Sequence, residues 1–222
     1  MCGRYAFFSP REALERLFAV SGATLLEPRY NIAPTQFVPV VRTDSDEVRR
    51  LAMLYWGLIP SWAREKSIGA RMINARSETA RDKPSFRVAY RRRRCLVLAS
   101  GYYEWRKTAG GKQPYFIRLA NGEPFGMAGL WESWLERPGE PPLESCAILT
   151  AAPAAAVAYI HDRMPVILPP TLHGRWLDHT LTGADDVDAL LASRTEPELT
   201  ATPVGRAVNS ARNEGADLIV PE

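Results

Sequence analysis

The segment at 95–105 reads CLVLASGYYEW and combines a buried strand with a polar end. Its first half is a continuous apolar run, which is typical of a strand that is covered on both faces. Gly101 then marks a turn. Glu104 follows between two aromatic residues, Tyr103 and Trp105. The segment therefore predicts a core strand that leads into a carboxylate packed among aromatic rings.

Runs on both sides of this segment are also typical of strands. The stretch at 114–134 contains Asn121 and Gly122 between two apolar runs, which predicts a hairpin. The run at 36–42 contains Pro39, which favours a sheet edge because proline cannot donate to a ladder. Further strands are predicted within 47–59, 144–152 and 200–213.

Short helices are predicted between these strands. Ser9 is a candidate N-cap for a helix over 9–20, and 182–194 has an apolar helical face. A third short helix begins the stretch 153–165 and gives way to an extended segment. Many strands, scattered helices and no regular βαβ alternation predict an α+β fold with a largely antiparallel, barrel-like β core. No linker-like stretch interrupts the sequence, so residues 1–222 are expected to form a single domain.

Composition excludes several classes of protein. Apolar residues make up 46% and charged residues 24% of the 222 residues, which is ordinary for a soluble globular protein. No run approaches the roughly 20 apolar residues of a membrane span, and the start of the chain does not resemble a signal peptide. We expect a cytoplasmic, nucleoid-associated protein. The three cysteines lack metal-site or disulfide spacing, and Cys95 and Cys146 lie in apolar runs typical of the core.

The charge is unevenly distributed along the chain. Residues 1–112 contain 21 Lys and Arg against 10 Asp and Glu, whereas residues 113–222 contain 7 against 15. This asymmetry indicates a basic face and an anionic partner, or else a solvated surface that balances internally. The run of four arginines at 91–94 is most often a solvated charge run, although it could attract phosphates.

Cys2 follows the initiator methionine directly. Methionine aminopeptidase removes Met1 when the second residue is small, which would leave Cys2 with a free α-amine beside its thiol. Such a 1,2-aminothiol condenses with aldehydes, and the polar neighbours of Cys2 favour a usable thiolate. The alternative is a cysteine that occupies the second position by chance.

Three further stretches place polar side chains within apolar structure. Alternation along INARSET predicts that Asn74, Arg76 and Glu78 share one face of a strand. Glu104 among aromatic rings is expected to have a raised pKa, as a general acid needs, and His161 could move protons near neutral pH. Each has a structural alternative.

Those alternatives are local. Asn74 could cap a turn, Glu104 could pair with Arg106 at the surface, and His161 could cap a helix C-terminus. The other histidines, His173 and His179, have the sequence context of loop residues.

An aldehyde partner would use these residue types together. The amine of Cys2 would form an imine with the aldehyde, and the thiol would close onto it to give a thiazolidine. Glu104 and His161 could supply the proton transfers. An abasic site in DNA is a masked aldehyde flanked by phosphates, which suits the basic half of the chain. No nucleotide-binding glycine motif and no metal motif is found, so neither a cofactor nor a metal is expected.

The chain resembles the SOS-response-associated peptidase (SRAP) family. The resemblance is carried by MCGRY, RYNIAPTQ, WGLIPSW, INARSET, CLVLASGYYEW, PYFI, AGLWE, AILTAA and IHDRMPVIL in this order, and by AVNSARN near the end. It implies a sensor and shield for abasic sites, with an α+β fold whose barrel-like β structure has a basic DNA channel. It implies a stable thiazolidine crosslink at Cys2, and a preference for single strands and single-strand/double-strand junctions.

The resemblance also assigns residues. The implied catalytic residues are Cys2, Asn74, Glu104 and His161. Asn74 would position Cys2 and the sugar, Glu104 would act as acid and base in condensation and reversal, and His161 would assist ring opening. The implied DNA-binding residues are Arg4, Asn31, Pro34, Arg76, Trp105, Thr150 and Arg163, with Pro34 as a wedge against continuous duplex.

Two other functions remain open at this point. An N-terminal cysteine is also the nucleophile of amidohydrolases and peptidases, in which the α-amine serves as base. A plain single-stranded DNA-binding module would leave Cys2 without a role. We expect a monomer that takes no metal and binds no membrane.

Overall fold

The computed structural model describes residues 2–20, 26–44 and 46–222, and the strands in these ranges form two sheets. The strands are β1 (Tyr5–Phe7), β2 (Arg29–Ile32), β3 (Phe37–Thr43), β4 (Arg49–Trp56), β5 (Asn74–Arg76), β6 (Arg94–Ala99), β7 (Gly101–Thr108), β8 (Gly111–Leu119), β9 (Phe125–Trp134), β10 (Leu143–Ala151), β11 (Met164–Pro165), β12 (Ile167–Leu168) and β13 (Leu199–Pro203). The α-helices are α1 (Arg11–Phe18), α2 (Ser77–Ala80), α3 (Arg87–Arg92), α4 (Pro170–Leu177) and α5 (Ala184–Ala192).

The larger sheet closes into a barrel. Its strands run in the order β10-β4-β3-β6-β9, and β9 pairs again with β10 over Leu143–Ile148. All of these pairings are antiparallel except β4 with β10, which is parallel. Closure leaves the barrel without free edges. The predicted α+β fold with a largely antiparallel, barrel-like core is confirmed.

The smaller sheet lies at the point where the 95–105 segment leaves the barrel. Its antiparallel order is β13-β8-β7-β1-β2. Only Ser100 separates barrel strand β6 from β7, so one residue carries the chain from one sheet to the other. A Cβ atom at Gly101 would lie 2.2 Å from the Phe116 ring, which explains why the crossing needs glycine.

Two predictions about strand pairing are wrong. The turn at Gly122 exists, with a positive φ of 74°, but the strands that it joins, β8 and β9, belong to different sheets. Pro39 lies in β3, which is internal to the barrel. The pairing of β3 with β6 starts only at Val40, so Pro39 has a strand partner on its β4 side alone. The N–H group that proline lacks is therefore not needed for pairing with β6.

The helix over 9–20 is confirmed, but its predicted cap is not. The N-cap of α1 is Pro10, without a side-chain hydrogen bond to the helix. The Ser9 hydroxyl instead contacts the Ser100 hydroxyl at 2.8 Å, and Ser100 Oγ also accepts from Phe8 N at 3.0 Å. Ser9 therefore ties the helix entry to the crossing between the sheets.

The core fills the barrel and the space between the sheets. Cys95 and Cys146 are fully buried in it, as predicted. The run 91–94 is divided: Arg91 and Arg92 are exposed, whereas Arg93 pairs with Glu132. Arg94 is buried and donates to the carbonyls of Arg91 and Trp176 at 2.7 Å, so reading the whole run as solvated is wrong.

The prediction that His173 is a loop residue is also wrong. It lies in α4 with 2% of its surface exposed, stacked on Phe18. None of the helices in the described ranges is long and apolar enough to cross a membrane.

Candidate active site

Cys2 lies fully buried just before β1 and is held through its backbone. Asn74 Nδ2 donates to the Cys2 carbonyl oxygen at 2.7 Å. Asn74 reaches it because β5 runs parallel to the barrel strand β10, with Asn74 opposite Ile148. A strand attached to the barrel wall thus fixes the beginning of the chain.

The thiol of Cys2 is neutral in this setting. Burial raises its pKa well above the ordinary range, and the negative charge of Glu104 raises it further, while a hydrogen bond from the Arg4 backbone lowers it. The sequence predicted a polar setting with a usable thiolate, and this is wrong for the folded chain. The prediction failed because Cys2 is fully buried in the core cluster, which its polar neighbours in the sequence do not reveal.

Glu104 lies on β7 with 5% of its surface exposed. Its Oε1 accepts a long hydrogen bond from Trp105 N at 3.3 Å. The alternation of a strand places Tyr102 and Glu104 on one face, and Tyr103 and Trp105 on the other. Arg106, the surface partner considered from the sequence, lies with its guanidinium over the Tyr159 ring, 5.3 Å from the centroid.

His161 and Glu104 meet in one open cavity of about 390 Å³. The cavity is also lined by Trp105, Lys107, Lys112 and Asn209. The positive charges of the two lysines attract a negatively charged ligand into the cavity. The cavity therefore places a carboxylate, an imidazole and two cations around one volume.

The His161 ring has a partner for either protonation state. Its Nδ1 accepts from Arg163 N at 3.0 Å when the ring is neutral. The same atom lies 2.8 Å from Asp162 Oδ1, which can accept from a protonated ring. These two contacts orient the ring within the cavity.

The predicted DNA-binding arginines differ in their surroundings. Arg76 is exposed, and its side chain makes no hydrogen bond or ion pair within the described part of the chain. Arg163 instead forms a bidentate ion pair with Glu78, at 2.7 and 2.8 Å, and donates to the Thr150 carbonyl. Thr150 is fully buried.

Three other predicted DNA contacts hold the segment at 208–213. Arg4 donates to the Val208 carbonyl and to Asn31 Oδ1, both at 2.7 Å. Asn31 is buried, and its Nδ2 donates to the carbonyls of Ser210 and Asn213 at 2.9 and 2.8 Å. Trp105 Nε1 donates to Asn209 Oδ1 at 2.7 Å. This geometry favours a positioning role for Asn31 over direct contact with DNA.

Pro34 lies in the turn between β2 and β3 and is partly exposed. Its neighbour Thr35 has a positive φ of 69° and donates its N–H to the Trp56 carbonyl at 2.8 Å. Phe37 beyond the turn is 49% exposed. The turn therefore presents a rigid proline next to an exposed aromatic ring.

The predicted common face of INARSET is only partly formed. β5 ends at Arg76, and Glu78 lies in α2, so the strand alternation stops before it. Ser77 and Thr79 surround Glu78 in a short helical turn that the period-two reading did not anticipate. Glu78 is nevertheless important, because it neutralises Arg163.

Sequence reasoning missed Tyr5 and Tyr102, which pair across β1 and β7. Both rings are buried, and within the described residues neither hydroxyl has a hydrogen-bond partner. The available signal was the alternation in GYYE, which puts Tyr102 on the same face as Glu104. Lys107 and Lys112 were also missed, and only the pairing of β7 with β8 brings them together.

The described residues contain no group of three or more His, Cys, Asp or Glu that could hold a metal ion.

Comparison with known proteins gives one consistent result. The model of the family described as "SOS response associated peptidase (SRAP)" matches residues 1–211. The chain is 38% identical over 223 residues to the abasic site processing protein YoqW of Bacillus subtilis (strain 168), covering 99% of each chain. It is 34% identical over 229 residues to the abasic site processing protein YedK of Escherichia coli (strain K12), covering both chains fully.

A solved structure supports the fold. A protein from Bacteroides thetaiotaomicron superposes with a TM-score of 0.84 at 24% identity, and all of both chains is covered. The two-sheet architecture is therefore shared across the full length.

Proposed function

The chain belongs to the SOS response associated peptidase family, and on that premise we propose that it is a sensor and shield of abasic sites in DNA. It binds single-stranded DNA and joins Cys2, freed of Met1, to the ring-opened abasic sugar as a thiazolidine. The observation that supports the proposal is that Asn74 donates to the Cys2 carbonyl at 2.7 Å, while the charge of Glu104 raises the pKa of the Cys2 thiol.

The first half of the reaction makes an imine. His161, in the same cavity as Glu104, moves the proton that opens the cyclic hemiacetal to the aldehyde. The neutral α-amine of Cys2 attacks the aldehyde carbon to form a carbinolamine. Glu104 in its protonated form donates to the hydroxyl, which leaves as water. Asn74 keeps the amine in place through the Cys2 carbonyl.

The second half closes the ring. The thiol adds to the imine carbon and forms a five-membered thiazolidine, so the crosslink retains one carbon–nitrogen and one carbon–sulfur bond. Reversal runs through the same imine, with Glu104 protonating the departing sulfur. The whole sequence consumes the aldehyde and releases one water.

DNA is held by residues at the rim of the site. Arg76, exposed and unpaired among the described residues, contacts a phosphate directly, and Lys107 and Lys112 supply positive charge at the cavity. Arg4, Asn31 and Trp105 act mainly by holding 208–213.

The roles of the remaining predicted contacts, Arg163, Thr150 and Pro34, depend on their local structure. Arg163 reaches DNA only by exchanging Glu78 for a phosphate, and Thr150 supports Arg163 from the interior. Pro34 in its rigid turn interrupts a continuous duplex at single-strand/double-strand junctions. The protein acts as a monomer without metal or cofactor.

The test mixes the purified protein, with its N-terminus determined by mass spectrometry, with a single-stranded oligonucleotide that carries one abasic site. A band that survives heating in SDS on a denaturing gel supports the proposal. Matched controls are Cys2→Ala and a form with extra residues ahead of Cys2, both of which must lose the band. The intact mass of the adduct must equal protein plus oligonucleotide minus one water.

Two outcomes overturn the proposal. Absence of the band with a verified free Cys2 sets it aside in favour of amide or peptide substrates. Equal DNA binding by parent and Cys2→Ala without any crosslink reduces the protein to a binding module.

A further inference from the structure

Residues that bind Cys2 or share its core cluster have buried polar atoms without partners. Within the described residues, the hydroxyls of Tyr5 and Tyr102 and the Oδ1 atom of Asn74 are buried without a hydrogen-bond partner. A buried polar group without a partner is costly, and natural interiors contain few of them. The two hydroxyls and the amide oxygen therefore have unused hydrogen-bonding capacity.

The two tyrosines are fixed by the smaller sheet. Tyr5 on β1 is directly opposite Tyr102 on β7, and both belong to the same core cluster as Cys2. Tyr5 follows Cys2 by three residues, and Tyr102 precedes Glu104 by two on the same strand face. Burial raises the pKa of the Tyr102 hydroxyl, and the Cys2 thiol and the Glu104 carboxylate add to the effect. Tyr102 is therefore a neutral hydrogen-bond donor close to both groups.

We propose that the Tyr102 hydroxyl donates a hydrogen bond to the Cys2 sulfur as the thiazolidine ring closes. This inference rests on the proposed function and adds a residue to it. Negative charge develops on the sulfur as Glu104 removes the thiol proton, and a buried donor stabilises that charge more than water does.

Residues of the site account for every proton and electron pair in the ring-closing step. The S–H proton of Cys2 passes to the Glu104 carboxylate, and the sulfur electron pair forms the bond to the imine carbon. Loss of water leaves the imine protonated, so the π electrons of its carbon–nitrogen bond return to nitrogen and leave a neutral N–H in the ring. Tyr102 keeps its own proton throughout, and nothing is oxidised or reduced.

Tyr103 provides a matched control on the next residue. Its ring is also buried, but its hydroxyl donates to the Tyr30 carbonyl at 2.7 Å, and its cluster lies on the other face of β7. Removing this hydroxyl leaves a carbonyl without its donor, whereas removing the Tyr102 hydroxyl leaves nothing unpaired.

The experiment compares Tyr102→Phe and Tyr103→Phe with the parent. Crosslinking to the abasic oligonucleotide is followed as a function of protein concentration, which separates the maximum rate from the half-saturating concentration. Thermal unfolding is measured on all three proteins. We expect Tyr102→Phe to lower the maximum rate by about tenfold or more, the effect of one hydrogen bond to a developing charge, at an unchanged half-saturating concentration. Its melting temperature should be equal or higher, whereas Tyr103→Phe should melt lower and crosslink at the parental rate.

A second measurement keeps the inference testable on its own. The rate of Cys2 alkylation by iodoacetamide, read from the mass of the N-terminal peptide, should fall in Tyr102→Phe and not in Tyr103→Phe. Parental crosslinking and alkylation rates in Tyr102→Phe overturn the inference and leave the proposed function standing. If the parent forms no crosslink, the proposed function fails, and the alkylation rates alone decide the role of Tyr102.

Discussion

At the scale of single residues, the environment of Cys2 orders its two nucleophiles. Burial and the Glu104 charge both raise the pKa of the thiol, so sulfur remains protonated near neutral pH. An N-terminal α-amine has an ordinary pKa near 8, so a substantial fraction is neutral under the same conditions. In the proposed reaction, nitrogen therefore attacks before sulfur, and the sulfur then needs a base at the moment of ring closure.

Glu104→Gln tests that requirement. The amide cannot accept the thiol proton or protonate the departing water, so crosslinking should slow by about 10² or more, the usual contribution of a general acid–base group. The pKa of the Cys2 thiol should fall because the neighbouring negative charge is gone. A quenched time course measures the first effect, and alkylation of Cys2 as a function of pH measures the second.

The control for this change is Glu123→Gln, which removes a surface carboxylate paired with Arg16. DNA binding should be unaffected in both variants. Equal crosslinking rates in Glu104→Gln and parent would remove Glu104 from the chemistry.

At the scale of elements, the junction between β6 and β7 determines where the site forms. Gly101→Ala places a methyl group 2.2 Å from the Phe116 ring, which is itself packed against Tyr103 and Phe8. We expect a loss of about 1–3 kcal/mol in the free energy of unfolding, as is usual for overpacking. Urea denaturation measures it.

Gly110→Ala is the matched control in the turn between β7 and β8. No atom lies within 4 Å of a Cβ at this position, so its stability should equal or slightly exceed that of the parent. Two variants of equal stability would show that the crossing tolerates a side chain and would contradict the packing argument.

The ion pair between α2 and the extended segment before β11 should make stability depend on pH. Arg163 lowers the pKa of Glu78 below its ordinary 4.5 in the folded chain. Because the folded pKa lies below the unfolded one, the stabilisation is complete above pH 4.5 and is lost as the pH falls through the lowered value.

Glu78→Gln should therefore lose less stability than the parent between about pH 6 and about pH 3.5. Urea midpoints at the two pH values provide the comparison. Parallel losses in both proteins would assign the acid sensitivity to other carboxylates.

Sequence patterns predicted the positions of helices and strands better than they predicted which strands pair with each other. The strand in 95–99 and the helix over 184–192 are clear in the sequence because apolar periodicity is a local property. The assignment of β8 and β9 to different sheets is not, because a turn such as Asn121-Gly122 specifies a local bend and not which neighbours the strands choose. The internal position of Pro39 likewise depends on where β6 begins to pair with β3.

At the scale of the whole molecule, the excess positive charge of residues 1–112 predicts salt-dependent DNA binding. Arg76→Ala should weaken binding to single-stranded DNA and reduce the slope of log affinity against log salt by about 0.7, the value for one phosphate contact. Fluorescence anisotropy over a salt series measures both quantities.

Arg137→Ala, which changes an exposed arginine in the loop between β9 and β10, should leave the slope unchanged. An identical slope in Arg76→Ala and parent would exclude Arg76 from the phosphate contacts.

The candidate site could be named from sequence but not assembled from it. Cys2, Asn74, Glu104 and His161 follow from residue types and from the resemblance to the family. Their meeting depends on β5 running beside β10 and on β7 leaving the barrel after Ser100. The pairing of Tyr5 with Tyr102 could not be predicted because it depends on the register of β1 with β7, which no local pattern encodes.

The hydrogen bonds from Arg4 and Asn31 to the segment 208–213 have a consequence for biosynthesis. Arg4 binds the carbonyl of Val208, which is 204 positions later in the chain, and Asn31 binds Ser210 and Asn213. Translation makes Cys2 first and this segment almost last. A nascent chain that has already lost Met1 therefore carries its aminothiol through nearly the whole of translation before the surrounding site can form.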